Sequence, residues 1–274
     1  VVLLLRGSRR LYLNAGGSQP RLHLTEQVRD NPSQPPMFCM LLRKHLVGAR
    51  ITAVSQPDFE RMLVLDLDGR DELGTPVKKQ LVVEMLGRQS NVILVSADGH
   101  IIDCMRRVDS SMSETRQVQP GMFYRLPLRQ DKPVLFDTTP EQRAQLLSGP
   151  VTAATLDKWL LGLFSGVSPL LCREVCFRAL GDASPRLERL DDAQRARLAH
   201  ELDALVFTVE TNNLAPTMLL DGDRPKDFSA VPILQYQDAL ECRGCGSFSE
   251  LLDEFYLRRD KAEAMRRRSQ ELTH

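Results

Sequence analysis

The chain has 274 residues, of which 42% are hydrophobic and 26% charged, and its formal net charge is zero. This length predicts about two domains, and the composition is that of a soluble protein with an ample core. No apolar run approaches the roughly 18 residues that a membrane helix needs, so we expect no membrane partner. The opening VVLLL is too short for a signal peptide and precedes its basic neighbours, so it predicts a strand.

The charge is unevenly distributed along the chain. Residues 1–50 carry a net charge of +6, residues 181–253 carry −7, and residues 257–268 carry +4. Such asymmetry is typical of polyanion contact at particular surfaces, and the alternative is that these runs are ordinary solvated faces.

The first half of the sequence predicts antiparallel strands around one helix. Short strands are expected over residues 1–24. The following helix has apolar residues at helical spacing and ends at Gly48, since glycine adopts the left-handed cap without steric cost. Strict alternation predicts a strand over 61–67, with Arg61 at the head of an apolar row. Further strands are predicted at 51–54, 79–85, 91–95, 100–104 and 122–126.

The second half predicts helices, at 140–147, 156–164, 170–180 and 191–210, and strands at 217–220 and 231–235. Ser168 is a good N-cap and Pro169 suits the first helical position. A helix, a short glycine-containing turn and a second helix form the pattern of a helix-hairpin-helix. The tail from Leu251 has a weak heptad, which predicts the start of a coiled coil or an ordinary amphipathic helix. The heptad positions are Leu251, Phe255, Arg258, Ala262, Met265, Ser269 and Leu272.

No catalytic motif stands out, and no cofactor is expected. The chain has no GxSxG, Walker, HExxH or GxGxxG sequence, and its five histidines are scattered. The pair Cys242 and Cys245 lacks the two further ligands that zinc would require, so we expect no metal. The thiols indicate a reducing, cytoplasmic compartment.

Two sites in the first half could bind RNA, one in a predicted loop and one at the head of a predicted strand. Arg88, Ser90 and Asn91 lie between two predicted strands and could position an RNA backbone. Alternatively, Ser90 and Asn91 hydrogen-bond their own main chain. Adjacent residues of a strand point to opposite faces, so Glu60 and Arg61 should not form a simple ion pair. Arg61 therefore needs solvent or a partner, and guanidinium suits phosphate and stacked bases.

The third candidate is the turn Gly166-Val167-Ser168. Backbone N–H groups at the start of a helix can bind a phosphate oxygen. The alternative is that the turn is a packing corner between two helices.

Several strings of this sequence resemble the NFACT family, whose members include bacterial RqcH proteins, long known as fibronectin-binding proteins, and eukaryotic NEMF. The strings are PPMFCMLLRKHLVGARI, the acidic–arginine pair Glu60-Arg61, and EMLGRQSNVIL. In that family the pair, usually Asp-Arg, engages tRNA. Glu60 is one methylene longer than the usual aspartate.

The resemblance implies an α+β fold in four parts. We expect a β-rich domain at 1–138, similar to formamidopyrimidine-DNA glycosylases and incomplete at its N-terminus, then a helix-hairpin-helix domain at 139–210. A mixed segment at 211–253 would pack back on the first domain, and a coiled-coil arm would begin at 254–274.

The resemblance also implies a function. NFACT proteins bind the large ribosomal subunit blocked by peptidyl-tRNA, recruit alanyl-tRNA and drive template-free alanine tailing of the stalled chain. The ribosome would perform the peptidyl transfer, so this chain would not be an enzyme. A fibronectin-binding surface adhesin is the alternative. A nucleic-acid repair enzyme is a third reading, and it would need a nucleophilic N-terminal amine.

Overall fold

The structure is a computed structural model that describes residues 1–16 and 19–271. The chain divides into two compact units, Val1–Arg129 and Gln130–His274, called unit one and unit two below. Both units combine helices with antiparallel sheets, so the α+β expectation is confirmed.

In its described residues, unit one contains two antiparallel sheets and one α-helix. The elements are β1 (Val2–Leu4), β2 (Arg10–Asn14), β3 (Arg21–Thr25), α1 (Met37–Leu46), β4 (Arg50–Ser55), β5 (Met62–Arg70), β6 (Pro76–Glu84), β7 (Asn91–Ser96) and β8 (Ile101–Cys104). The small sheet has the order β1-β2-β3, and the large sheet is a meander in which each strand pairs with the next, in the order β4-β5-β6-β7-β8.

Both faces of the large sheet are buried. Leu65 and Leu67 of β5 pack into a core that α1 and the small sheet complete through Phe38, Leu42 and Leu13. On the other face, Met62 and Val64 join a second core with Val82, Ile93 and Val118. Alternate residues of β5 therefore face two different cores, as the predicted alternation implies.

Unit two consists of helices that pack with a small antiparallel sheet of order β10-β9-β11. Its largest core lies among the first four helices. The elements are α2 (Pro140–Leu147), α3 (Leu156–Leu163), α4 (Pro169–Leu180), α5 (Asp192–Glu210), β9 (Thr217–Asp221), β10 (Arg224–Ser229), β11 (Glu241–Gly244) and α6 (Phe248–Glu271).

Local sequence signals explain the helix ends. Capping boxes begin α2 at Thr139 and α5 at Asp191. The Ser168 hydroxyl accepts a hydrogen bond from the N–H of Leu171 at 3.2 Å, as predicted for an N-cap. Gly48 follows α1 with a φ of +80°, also as predicted.

Two predicted strands are wrong. Residues 122–126 form only one isolated bridge, between Phe123 and His100. Residues 231–235 are not a strand, because the carboxylate of Glu174 on α4 accepts the N–H groups of Leu234 and Gln235 at 2.8 and 3.0 Å. In addition, β10 and β11 were not predicted.

The predicted four-part division, with its first boundary after residue 138, stays a prediction. In the structure the division into two units falls after Arg129, and residues 211–253 belong to unit two. Their sheet packs on α4 through Leu219 and on α6 through Met218. The predicted packing of 211–253 on the first domain stays a prediction.

The tail forms one continuous helix, α6. Leu251 and Phe255 are buried against the sheet of unit two, whereas Met265 is 72% exposed. Leu272 lies outside the described residues, and the coiled coil stays a prediction.

Candidate nucleic-acid interface

One end of the large sheet brings together the two RNA-binding sites predicted in unit one. Met62 at the start of β5 pairs with Glu84 at the end of β6, and Glu84 pairs with Asn91 at the start of β7. The N–H of Met85 donates to the carbonyl of Arg61 at 2.8 Å. Glu60 and Arg61 therefore lie at the same sheet end as residues 87–91.

Arg61 precedes β5 rather than beginning it, which corrects the predicted strand start. The N–H of Met62 donates to the carbonyl of Glu60 at 2.8 Å, so the backbone turns tightly at Arg61. Glu60 and Arg61 both lie outside the strand, so strand alternation does not set the directions of their side chains. Arg61 is exposed and Glu60 is half-buried. Within the described ranges, neither side chain forms a hydrogen bond or an ion pair.

The turn before Glu60 has an unusual backbone. Asp58 and Phe59 have φ values of +50° and +53°, which non-glycine residues rarely adopt. The carboxylate of Asp58 forms an ion pair with Arg129, and the amide of Gln56 donates to the carbonyl of Glu60 at 2.9 Å. Such strain persists only where the surroundings fix it, and it is enriched at functional sites.

The β6–β7 loop is a single 3₁₀ turn, Gly87–Gln89, that exposes Arg88. Ser90 is fully buried, and its hydroxyl donates to the carbonyl of Gly87 at 2.7 Å. Asn91 is 2% exposed. Its Nδ2 donates to the carbonyl of Arg106 at 2.7 Å, and its Oδ1 accepts the N–H of Arg106 at 2.9 Å. Ser90 and Asn91 therefore hold the main chain and offer almost no surface to a ligand.

Arg106 and Arg107, which no sequence motif singled out, follow β8 and are both exposed. The N–H of Met105 donates to the carbonyl of Val92 at 2.8 Å, so the pair lies at the same sheet end. The Arg106 guanidinium donates to the carbonyl of Arg88. An arginine dipeptide two residues after a predicted strand was the sequence signal that could have identified them. We call Arg61, Arg88, Arg106 and Arg107 the arginine cluster.

A buried ionic network lies at this end of the sheet. Glu84 is 0% exposed, and its carboxylate accepts bonds from Arg116 at 3.0 and 2.5 Å and from the Tyr124 hydroxyl at 2.7 Å. Burial and the adjacent Glu84 raise the pKa of Tyr124, so this hydroxyl stays a donor. Because Arg116 compensates Glu84, the exposed guanidinium groups of the arginine cluster keep their net positive charge.

The predicted turn in unit two has a different chemistry. Gly166 is exposed with a φ of +80°, Val167 packs against the helical core, and Ser168 caps α4. The N–H of Ser165 donates to the carbonyl of Pro133 at 2.8 Å, which fixes the turn. In the part of the chain that the structure describes, no hydrogen bond uses the N–H of Gly166 or Val167, so both can donate to a ligand.

Cys242 and Cys245 are free cysteines in unit two. The Cys242 thiol donates to the carbonyl of Ile233 at 3.1 Å, and burial raises the pKa of Cys245. Among the described residues there is no group of three potential metal ligands, and no described helix is long and apolar enough to cross a membrane.

A family model described as the NFACT N-terminal and middle domains matches residues 1–274. The chain belongs to the NFACT family. Among its relatives, the "Rqc2 homolog RqcH" of Bacillus subtilis is 34% identical over 97% of this chain and 44% of its own length. The archaeal Rqc2 homolog of Methanocaldococcus jannaschii is 27% identical over 91% of this chain and 35% of its own length. This NFACT chain thus spans less than half of these relatives.

Two solved structures support the same assignment. The fibrinogen-binding protein of Staphylococcus aureus has a TM-score of 0.73 at 26% identity, covering 93% of this chain and 86% of its own. The N-terminal part of the fibronectin/fibrinogen-binding protein of Streptococcus suis has a TM-score of 0.72 at 27% identity, covering 92% of this chain and 84% of its own. The resemblance to NFACT proteins noted from the sequence is confirmed.

Proposed function

We propose that this NFACT chain is the RNA-binding part of a ribosome quality-control factor that acts in the cytoplasm. The factor binds the large ribosomal subunit blocked by peptidyl-tRNA and recruits tRNA, alanyl-tRNA by family resemblance, for template-free C-terminal alanine tailing. The names of the relatives support the ribosomal role, among them that of the yeast "Ribosome quality control complex subunit 2".

The arginine cluster is the observation that carries this proposal. Within the described part of the chain, no carboxylate lies within ion-pair distance of the Arg61, Arg88 or Arg106 guanidinium, so these groups are available to an anion. Arginine binds phosphate in a bidentate manner and stacks on bases, which suits an RNA ligand. Glu60 and Arg61 contact tRNA in this proposal, together with Arg88, whereas Ser90 and Asn91 shape the loop.

The turn of unit two supplies a second RNA contact in this proposal. The free N–H groups of Gly166 and Val167 donate to an RNA phosphate, and Ser168 fixes the start of α4. The helices on either side then act as a helix-hairpin-helix, and unit one shares the glycosylase-like architecture without glycosylase chemistry. The chain positions RNA, and the ribosome performs peptidyl transfer.

Sedimentation of cell lysates tests the ribosomal role. We expect the full-length protein to sediment with large subunits, and to be released as salt rises because phosphate contacts are screened. A protein that stays at the top of the gradient at low salt would contradict the proposal.

Binding to fibronectin is the second candidate function, since the Streptococcus suis neighbour is named a fibronectin/fibrinogen-binding protein. Immobilised fibronectin distinguishes the two. The adhesin reading predicts saturable capture of the purified protein that excess tRNA does not compete away, whereas the ribosomal reading predicts none.

A further inference from the structure

Arg106 and Arg107 are fixed in place by buried polar groups. The side chain of Asn91 hydrogen-bonds the N–H and the carbonyl of Arg106, in place of the backbone hydrogen bonds that a paired strand would make. Asp103 is 8% exposed, and its Oδ1 lies 3.5 Å from Nη2 of Arg107 while also accepting the N–H of Cys104 at 2.8 Å. A buried side-chain amide is costly unless both its donor and its acceptor are satisfied. The backbone of Arg106 satisfies both the donor and the acceptor of the buried Asn91 amide, so Asn91 fixes the position of Arg106.

The Arg106 guanidinium is oriented but not neutralised. It donates to the carbonyl of Arg88, a neutral acceptor, and this bond ties the connection after β8 to the β6–β7 turn. Arginine has five donors in a fixed fork, so most of them remain free after this bond. The side chain of Arg107 is 64% exposed, and its contact with Asp103 is long. Both guanidinium groups can therefore bind an anion at the surface.

The ligand class follows from the charge and the spacing. Four guanidinium groups at one sheet end, from three separate connections, match an anion with several charges along a chain better than a single small anion. We propose, resting on the proposed function, that Arg106 and Arg107 contact the phosphate backbone of the same tRNA that Arg61 and Arg88 engage. Asn91 is the positioning residue that acts through Arg106.

These contacts carry no sequence information by themselves. Phosphate contacts set the register and orientation of the RNA, whereas base contacts select it. Variants of Arg106 and Arg107 should therefore weaken binding equally for different tRNAs, and each lost contact should lower the salt dependence of binding.

Arg70 offers a matched control. It stands at the opposite end of β5, is exposed, and donates to the carbonyl of Gly74 at 2.7 Å. At about 3.3 Å per residue, it lies roughly 30 Å from Arg61. The Arg70→Ala and Arg107→Ala variants have the same net charge, so a difference between them reports position and not total charge.

Fluorescence anisotropy with a labelled tRNA transcript at several salt concentrations tests the proposal. We expect Arg107→Ala and Arg106→Ala each to raise Kd about fivefold to tenfold. The slope of log Kd against log salt should fall by about 0.7 to 0.9 for each lost contact. Arg70→Ala should change neither quantity beyond error.

A double-mutant cycle tests the role of Asn91. If Asn91 acts through Arg106, Asn91→Ala should weaken binding about as much as Arg106→Ala, and the double variant should be no weaker than the worse single variant. Thermal unfolding identifies any variant that has lost its fold. Arg107→Ala then decides alone, since the side chain of Arg107 is 64% exposed and its contact with Asp103 is long.

The outcomes separate this inference from the proposed function. If wild type does not bind the tRNA, the proposed function fails. If Arg61→Ala and Arg88→Ala weaken binding while Arg106→Ala and Arg107→Ala match Arg70→Ala, the inference is wrong and the proposed function stands. A salt slope unchanged in Arg107→Ala also overturns the phosphate contact.

Discussion

Glu84→Gln should strongly destabilise unit one, because it removes one partner of a buried ion pair. Glu84 is 0% exposed and binds Arg116 through two bonds, and the side chain of Arg116 is only 16% exposed. Glutamine keeps the shape, but its NH₂ group faces a donor and the guanidinium loses its counter-charge. Breaking a buried pair in this way costs about 3–5 kcal/mol. The melting temperature should fall by about 10 °C or more.

Thermal unfolding followed by circular dichroism measures this effect, and two variants serve as comparisons. Tyr124→Phe removes only the hydroxyl bond to Glu84, so it should cost about 1–2 kcal/mol. Glu72→Gln breaks the exposed ion pair with Lys44, which should leave the midpoint unchanged. A Glu84→Gln protein that unfolds with the wild-type midpoint would refute the view that this network anchors residues 104–124 to the sheet.

Three further predictions concern other parts of the chain. Glu174→Ala should lower the stability of unit two by about 2–4 kcal/mol, since it leaves the N–H groups of residues 234 and 235 unpaired, and urea unfolding would show this. Hydrogen bonds from Ser96 and His100 hold the pKa of Asp98 at about 2. Its stabilising contribution is therefore present above about pH 3.8 and lost as the pH falls through 2, and Ser96→Ala should raise this pKa in an NMR titration. Gly166→Glu should weaken association with large subunits by adding charge beside the phosphate, with a stability cost of about 1–2 kcal/mol from the positive φ, and unchanged association would indicate a packing corner.

The features predicted correctly depend on local sequence. The N-cap at Ser168 and the helix end at Gly48 need only a few neighbouring residues, and so does the apolar face of α1. The features that were missed or wrongly predicted depend on contacts with residues distant in the sequence. β10 begins Arg-Pro-Lys-Asp, without apolar alternation, and it is a strand because β9 pairs with it. Residues 231–235 have a strand-like composition, but Glu174 binds their N–H groups.

The candidate site shows the same division between local and tertiary information. Motif and charge identified Arg61 and Arg88 as separate positions, and only the register of the meander brings them together with Arg106 and Arg107. The burial of Asn91 follows from the connection after β8 lying against it, a contact over fifteen positions. A sequence pattern alone carries no information on such a contact.

The most direct test of the account is the recovery of tRNA with purified full-length protein and its Arg61→Ala variant. Arg61 is exposed and has no side-chain hydrogen bond or ion pair in the described ranges, so the variant should fold as wild type does. We expect both proteins to recover large subunits and the variant to recover at least tenfold less tRNA, because a charge-assisted contact is worth about 1.5–3 kcal/mol. Arg61→Lys should be nearly as deficient if the contact is bidentate or stacked. Equal tRNA recovery by wild type and Arg61→Ala would contradict the assignment of this sheet end as the tRNA site.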